Sequence, residues 1–234
     1  MNSVSPMDNP RSIFVYLRPR GENHVMTRVR FSLYHLLLLL LALGVLAWSG
    51  HGPKDRFTWF LEVAPVLVGL PLLAWTWRRF PFTPLAYVLM ALHGVVLMVG
   101  GHYTYAEVPL FDWVRDAFGL ARNHYDRLGH VAQGFIPAIV AREILVRTSP
   151  LRQGGWLFFL TVCVCLALSA FYELIEWWVA SATGDEAVAF LATQGDVWDT
   201  QWDMFLALLG ALCSLLLLGH WHDRQLARLT QDAP

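Results

Sequence analysis

Long apolar segments constrain this chain more than any other feature of its sequence. A hydrocarbon core about 30 Å thick is crossed by a helix of about 20 predominantly apolar residues. Four segments approach or exceed that length with few charges, and two more are polar at one end; the six are 31–48, 57–77, 83–101, 128–146, 156–172 and 202–219. With 56% hydrophobic and only 15% charged residues, the composition also excludes a soluble, disordered or disulfide-framework protein.

The pattern therefore predicts an all-α polytopic membrane protein built as a six-helix transmembrane bundle. We expect a mobile cytoplasmic N-terminal tail at 1–30, the transmembrane domain at 31–222 and a cytoplasmic C-terminal tail at 223–234. Between the third and fourth spans, Leu110, Phe111, Val114, Ala117 and Phe118 recur at helical spacing. That spacing predicts a short outer helix lying in the membrane interface.

The charges predict the orientation of the bundle. An even number of spans places both termini on one side, and that side then holds 12 of the 17 basic residues. The opposite side holds 13 of the 18 acidic residues. Because short cytoplasmic loops are enriched in Lys and Arg, we expect both termini to be cytoplasmic.

Ionisable residues near the predicted outer ends of three spans are the candidate functional groups. They fall three or four residues apart in pairs, so that each pair shares a helix face. The pairs are Asp126 with His130, Glu173 with Glu176, and Asp199 with Asp203. Glu62 and His102 lie at a similar predicted depth and are further candidates for this layer.

Several carboxylates beside an imidazole favour a bound divalent metal such as Zn, Mn or Mg, which would compensate their charge. We assign Asp126, His130, Glu173 and Asp203 as candidate metal ligands, and Glu176 or Asp199 as a candidate general base. The alternative is structural, because polar residues near span ends also cap helices, extend to the interface or form interhelical hydrogen bonds.

Four stretches carry a resemblance to a known family: AEVPLFDW at 106–113, RNHYDRLGHVAQGFIPAIVAREIL at 122–145, FYELIEWW at 171–178 and QGDVWDTQWDMFLALLGA at 194–211. They resemble the YjdF-like bacterial inner-membrane proteins, and the resemblance implies a six-helix inner-membrane protein. At the level of pattern, Asp126, His130, Glu173 and Asp203 also resemble positions of the VanZ-like membrane proteins, a family associated with glycopeptide resistance.

Three hypotheses of function stay open at this point. The first is a metal-dependent hydrolase or transferase that acts on a lipid or lipid-linked headgroup at a periplasm-facing site. The second is an ion or solute transporter, and the third is a noncatalytic membrane scaffold. The lipid bilayer is the expected partner, nucleic acid is not, and the sequence leaves the oligomeric state open.

Overall fold

The computed structural model describes residues 32–184 and 188–231. Within these ranges the chain is helical, with no strand. The predicted N-terminal tail and the last three residues of the predicted C-terminal tail lie outside the described residues. The helices are α1 (Leu33–Gly50), α2 (Arg56–Thr76), α3 (Pro84–Tyr103), α4 (Pro109–Phe118), α5 (Tyr125–Thr148), α6 (Gly155–Thr183), α7 (Val188–Leu191) and α8 (Asp199–Gln231).

The predicted class, an all-α multi-pass membrane protein, is confirmed. Five helices (α1, α2, α3, α6 and α8) are long and apolar enough to cross a bilayer. The remaining long helix, α5, has 24 residues and therefore a length of about 36 Å. It is long enough to span, but its buried face carries Asp126, His130, Arg142 and Glu143. These polar side chains explain why α5 is less apolar than the other five long helices.

Local sequence signals set where the helices begin and end. The carboxylate of Asp55 accepts a hydrogen bond from the backbone N–H of Thr58 at 2.6 Å and so caps α2. The hydroxyl of Thr83 caps α3, whose first residue is Pro84. The short helix α4 stops at Gly119, which adopts the left-handed conformation at φ 61°.

Helix α5 lies at the centre of the bundle and contacts α3, α6 and α8. Its contact with α8 is the closest, because two glycines let the backbones approach. A Cβ on Gly134 of α5 would lie 1.8 Å from the carbonyl oxygen of Ala207, and a Cβ on Gly210 of α8 would lie 2.2 Å from that of Val131. This pair of contacts fixes the relative position of α5 and α8.

Helices α1 and α2 pack on α3 and reach the rest of the bundle largely through it. A short 3-10 helix (Tyr105–Glu107) follows α3, and the ring of Tyr105 is buried between Gly100 of α3 and Gly129 of α5. A Cβ on either glycine would overlap this ring. Tyr105 therefore fixes α3 against α5 at Gly129, the residue that directly precedes His130.

The two ends of the bundle differ in charge. We call the end that contains the first turns of α5 and α8 the carboxylate end. We call the opposite end, where α5 and α8 finish, the arginine end. Among the described residues the arginine end carries seven arginines and two carboxylates; the arginines are Arg78, Arg79, Arg142, Arg147, Arg152, Arg224 and Arg228, and the carboxylates are Glu143 and Asp223.

Candidate functional site

Three helices bring the predicted site residues together at the carboxylate end. The first turns of α5 and α8 and the last third of α6 converge there. The side chains are almost fully buried, with relative exposures between 3% and 9%. The six residues are Asp126, His130, Glu173, Glu176, Asp199 and Asp203. Burial of so many ionisable groups within a membrane protein requires that they pair or bind a cation.

His130 lies at the centre of this cluster. Its Nε2 atom lies 3.4 Å from Oδ1 of Asp126 and 3.7 Å from Oδ1 of Asp203. Its Nδ1 atom lies 2.9 Å from the side-chain oxygen of Gln133 and 4.0 Å from Oε1 of Glu173. One imidazole therefore faces carboxylates from three different helices.

The contact with Gln133 constrains the protonation of the ring. An amide oxygen only accepts hydrogen bonds, so Nδ1 of His130 carries the proton that is donated to Gln133. In the neutral ring, Nε2 then presents its lone pair toward the oxygens of Asp126 and Asp203. Since those atoms repel one another, the arrangement needs a second proton on the ring, a proton on one of the two carboxylates, or a metal ion.

Two site oxygens have no hydrogen-bond partner among the described residues. They are Oδ1 of Asp203 and Oε1 of Glu173, both buried and both oriented toward His130. A buried carboxylate oxygen without a donor is costly. These two atoms therefore mark the places where the cluster lacks positive charge.

Two groups of ligand atoms are close enough to hold a metal ion. Asp126, His130 and Asp203 form the first group, and His130, Glu173 and Glu176 form the second. Within each group the candidate atoms lie within 4.8 Å of one another. Two ligands about 2.0–2.2 Å from a tetrahedral ion lie about 3.4 Å apart, which is close to the 3.4 Å and 3.7 Å found in the first group.

Arg122 supplies positive charge to the cluster on the side of Asp126 and Asp199. Its guanidinium donates to Asp199 at 2.5 Å and to Asp126 at 3.4 Å, and lies 3.6 Å from Asp196. The sequence analysis did not identify Arg122 as a candidate residue. Arg127 pairs with Asp196 at 2.8 Å. Arg122 lies in the loop before α5, so helical spacing gave no signal for it.

The loop between α7 and α8 closes over Arg122 and Asn123. The carbonyl of Ala192 accepts from Arg122 at 3.2 Å, and the side-chain amide of Gln194 bonds the backbone N–H and C=O of Asn123 at 3.0 and 2.9 Å. Ala192 and Gln194 have φ values of 48° and 49°, which are strained for residues other than glycine. Several contacts thus hold the loop in an unfavourable conformation next to the site.

Glu62, which the sequence predicts at the same depth as the cluster, lies on α2. Its side chain is 5% exposed and accepts a hydrogen bond from the hydroxyl of Tyr172 at 3.3 Å. Burial, with Glu62 nearby, raises the pKa of the Tyr105 phenol well above its usual value, so Tyr105 stays neutral beside the cluster. His102 instead contacts the carbonyl of Ser49 at 3.0 Å and the ring of Trp48.

A second buried polar network lies at the arginine end, and sequence reasoning missed its partners. Glu143 accepts from the backbone N–H and hydroxyl of Thr83 and from Arg147, and contacts His222 at 3.1 Å. Arg142 does not pair with its neighbour Glu143 but with Asp223 at 2.5 Å. Each of these carboxylates is satisfied by donors, so the network clamps α3, α5 and α8 together.

Comparison with known proteins agrees with this architecture. The profile of a family described as "Predicted membrane protein (DUF2238)" matches residues 34–224. The protein described as "Inner membrane protein YjdF" from Escherichia coli (strain K12) is 54% identical over 184 residues, which cover 79% of this chain and 88% of that relative. No solved structure matches.

Proposed function

The chain belongs to the DUF2238 family of predicted membrane proteins, and we propose that it is a metal-dependent hydrolase or transferase acting on a lipid or lipid-linked headgroup. It is a multi-pass inner-membrane protein with its candidate site buried at one end of the bundle. The observation that carries the proposal is the triad Asp126, His130 and Asp203, in which Nε2 of the ring lies 3.4 Å and 3.7 Å from oxygens of two buried carboxylates.

In this proposal the triad binds a divalent metal ion. Imidazole nitrogen with carboxylate oxygens is a ligand set that suits Zn, and Mn also binds such mixed sets. Gln133 orients the ring by accepting from Nδ1, as the outer partners of metal-bound histidines commonly do. Three protein ligands leave a position open for water or substrate, which is the arrangement of catalytic rather than structural metal sites.

Glu173 and Glu176 form the second ligand group, which shares His130 with the triad. A bound metal ion would lower the pKa of a coordinated water and supply a nucleophile. Glu176 is the candidate general base, and Glu173 serves either as a further metal ligand or as an acceptor that orients the water. Asp199 was the other candidate base, but its Oδ1 atom accepts from Arg122 at 2.5 Å. We therefore assign Asp199 the role of holding Arg122 beside the site.

A membrane-embedded substrate would explain why such a site lies among spanning helices. Arg127 borders the cluster, is partly exposed and stacks 5.3 Å from the ring of Trp202. A guanidinium group at this position suits the phosphate of a lipid headgroup. In this proposal the carboxylate end faces the periplasm, as the distribution of arginines favours.

The close α5–α8 contact favours an enzyme over a transporter with a path between these two helices. Gly134 and Ala207 lie one turn deeper than His130 and Asp203, and their backbones are already in contact. A transporter that works by alternating access needs polar groups along a path through the membrane and helices that move around the binding site. The contact between α5 and α8 instead blocks a path from the site toward the arginine end.

The test is headgroup release by the purified full-length protein in vesicles of phosphatidylethanolamine, phosphatidylglycerol and a polyprenyl diphosphate. We expect release that depends on added Zn²⁺, Mn²⁺ or Mg²⁺ and that is lost in Glu176→Gln and Asp203→Asn. The matched control is Glu107→Gln, which removes a carboxylate that pairs with Lys54 outside the cluster. Metal-independent release, or equal release by Asp203→Asn and wild type, would contradict the proposal.

A further inference from the structure

A large apolar groove lies on the opposite half of the molecule from the carboxylate cluster. Its volume is about 740 Å³, within the range of small-molecule binding sites. Helices α1, α2, α3 and α5 form its walls, and its lining is dominated by Leu, Val, Ala, Met and aromatic side chains. On α2 the lining runs from Pro65 to Trp77, a length of about 18 Å.

We propose that this groove binds an acyl chain of an anionic phospholipid from the leaflet at the arginine end. A length of about 18 Å is slightly more than half of a hydrocarbon core of about 30 Å, so the groove covers the depth of one leaflet. All of its walls belong to, or directly follow, membrane-crossing helices. A lipid chain therefore reaches the groove from the bilayer without crossing water.

The mouth of the groove provides the charge that selects the headgroup. Arg78 and Arg79 follow Trp77 directly, are exposed, and form no ion pair with a carboxylate of the described residues. Thr76 and Thr148 line the same end, where their hydroxyls donate to backbone carbonyls of their own helices. Arginines at this level attract anionic lipid headgroups. The apolar channel and the cationic mouth together match an anionic glycerophospholipid.

The groove is separate from the carboxylate cluster. No residue of the carboxylate cluster lines the groove, and at its deep end the lining residues Val66 and Met98 pack on the fully buried Val63. Lipid binding in the groove therefore does not depend on the proposed metal site. Failure of either proposal leaves the other one unaffected.

Gly69 gives a way to fill the groove without disturbing the helices. It lines the groove on α2, and a Cβ there would have no atom within 4 Å. Gly44 on α1 likewise has open space around its Cβ, but it is not among the residues that line the groove. Gly69→Phe therefore blocks the groove, and Gly44→Phe is the matched control.

The experiment uses the full-length protein in nanodiscs of phosphatidylethanolamine and phosphatidylglycerol, with a trace of phosphatidylglycerol that carries a diazirine on its acyl chain. After irradiation, the labelled peptides are mapped by mass spectrometry. We expect labels on groove residues of α2 and α3, most of which are lost in Gly69→Phe and retained in Gly44→Phe. The double variant Arg78→Gln with Arg79→Gln should weaken labelling by about tenfold, whereas the surface variant Arg152→Gln should not.

Three results would overturn the proposal. The first is labelling spread evenly over the lipid-facing helices and unchanged by Gly69→Phe. The second is no labelling of the groove in wild type, which is the result expected if residues 1–31 of the chain fill it. The third is equal labelling by a diazirine phosphatidylethanolamine, which would exclude anionic selectivity. If Gly69→Phe fails to fold, Ala74→Phe, on an exposed part of the same groove wall, decides the matter in the same way.

Discussion

Replacing Gly134 by alanine tests whether the α5–α8 contact sets the geometry of the site. A Cβ at this position would lie 1.8 Å from the carbonyl oxygen of Ala207, whereas real Cβ contacts are essentially never shorter than 3.0 Å. The two helices must therefore separate locally by about 1.2 Å, the difference between those distances. His130 lies one turn above Gly134 and Asp203 one turn above Ala207, so their separation of 3.7 Å should widen.

The expected cost has two parts. Overpacking against a backbone atom that cannot rotate away should lower the free energy of unfolding by about 3 kcal/mol. Displacement of a ligand pair by about 1 Å should weaken metal binding by about 10–100-fold, as the loss of outer supporting contacts does. Thermal unfolding in detergent and Zn²⁺ titration measure the two effects separately.

Gly219→Ala is the matched control for this experiment. Gly219 lies on the same helix, α8, and a Cβ there would meet nothing within 4 Å. Alanine is a better helix former than glycine by up to about 1 kcal/mol, so this variant should be as stable as wild type or slightly more stable. Unchanged stability and metal affinity in Gly134→Ala would refute the claim that the α5–α8 contact holds the ligands in place.

Three further predictions concern the charged networks and the orientation. Arg122→Gln leaves buried carboxylates without their cation and should lower the free energy of unfolding by about 3–5 kcal/mol, as measured by thermal unfolding. The control Arg115→Gln, on the exposed side of α4, should have little effect. Glu143→Gln should lower the free energy of unfolding by about 1.5–3 kcal/mol in the same assay, because hydrogen bonds to a charged, buried carboxylate are lost. Wild-type stability in this variant would contradict the claim that the Glu143 network holds α3, α5 and α8 together. In a chain without native cysteines, a cysteine at Ser181 should react with a membrane-impermeant thiol reagent added to the periplasm and one at Arg152 should not; the reverse pattern would invert the topology.

The fold class and the positions of the long helices could be predicted from the sequence because they depend on local signals. Apolar runs of sufficient length identified the five apolar spans and the position of the sixth, and the helical spacing from Leu110 to Phe118 identified α4. Spacing of three or four residues also identified each polar pair of the candidate site. These signals depend on neighbours along the chain and not on tertiary packing.

Interactions between distant segments could not be predicted in the same way. Thr83, Glu143 and His222 are separated by 60 or more residues, and only the approach of α3, α5 and α8 brings them together. Arg142 and Glu143 are adjacent in the sequence, but adjacent helical residues do not face each other, and the two side chains have different partners. The role of Gln133 likewise depends on the direction of the His130 ring, which spacing does not define.

Metal content of the purified protein tests the central claim most directly. Inductively coupled plasma mass spectrometry is carried out on wild type, His130→Ala and Asp203→Asn, with His124→Ala as a control for a histidine that lies outside the ligand groups. The account predicts one divalent metal ion per chain in wild type and His124→Ala, and its loss in the other two folded variants. Folded wild type that stays metal-free after incubation with Zn²⁺, Mn²⁺ and Mg²⁺, or metal retained in both His130→Ala and Asp203→Asn, would contradict it.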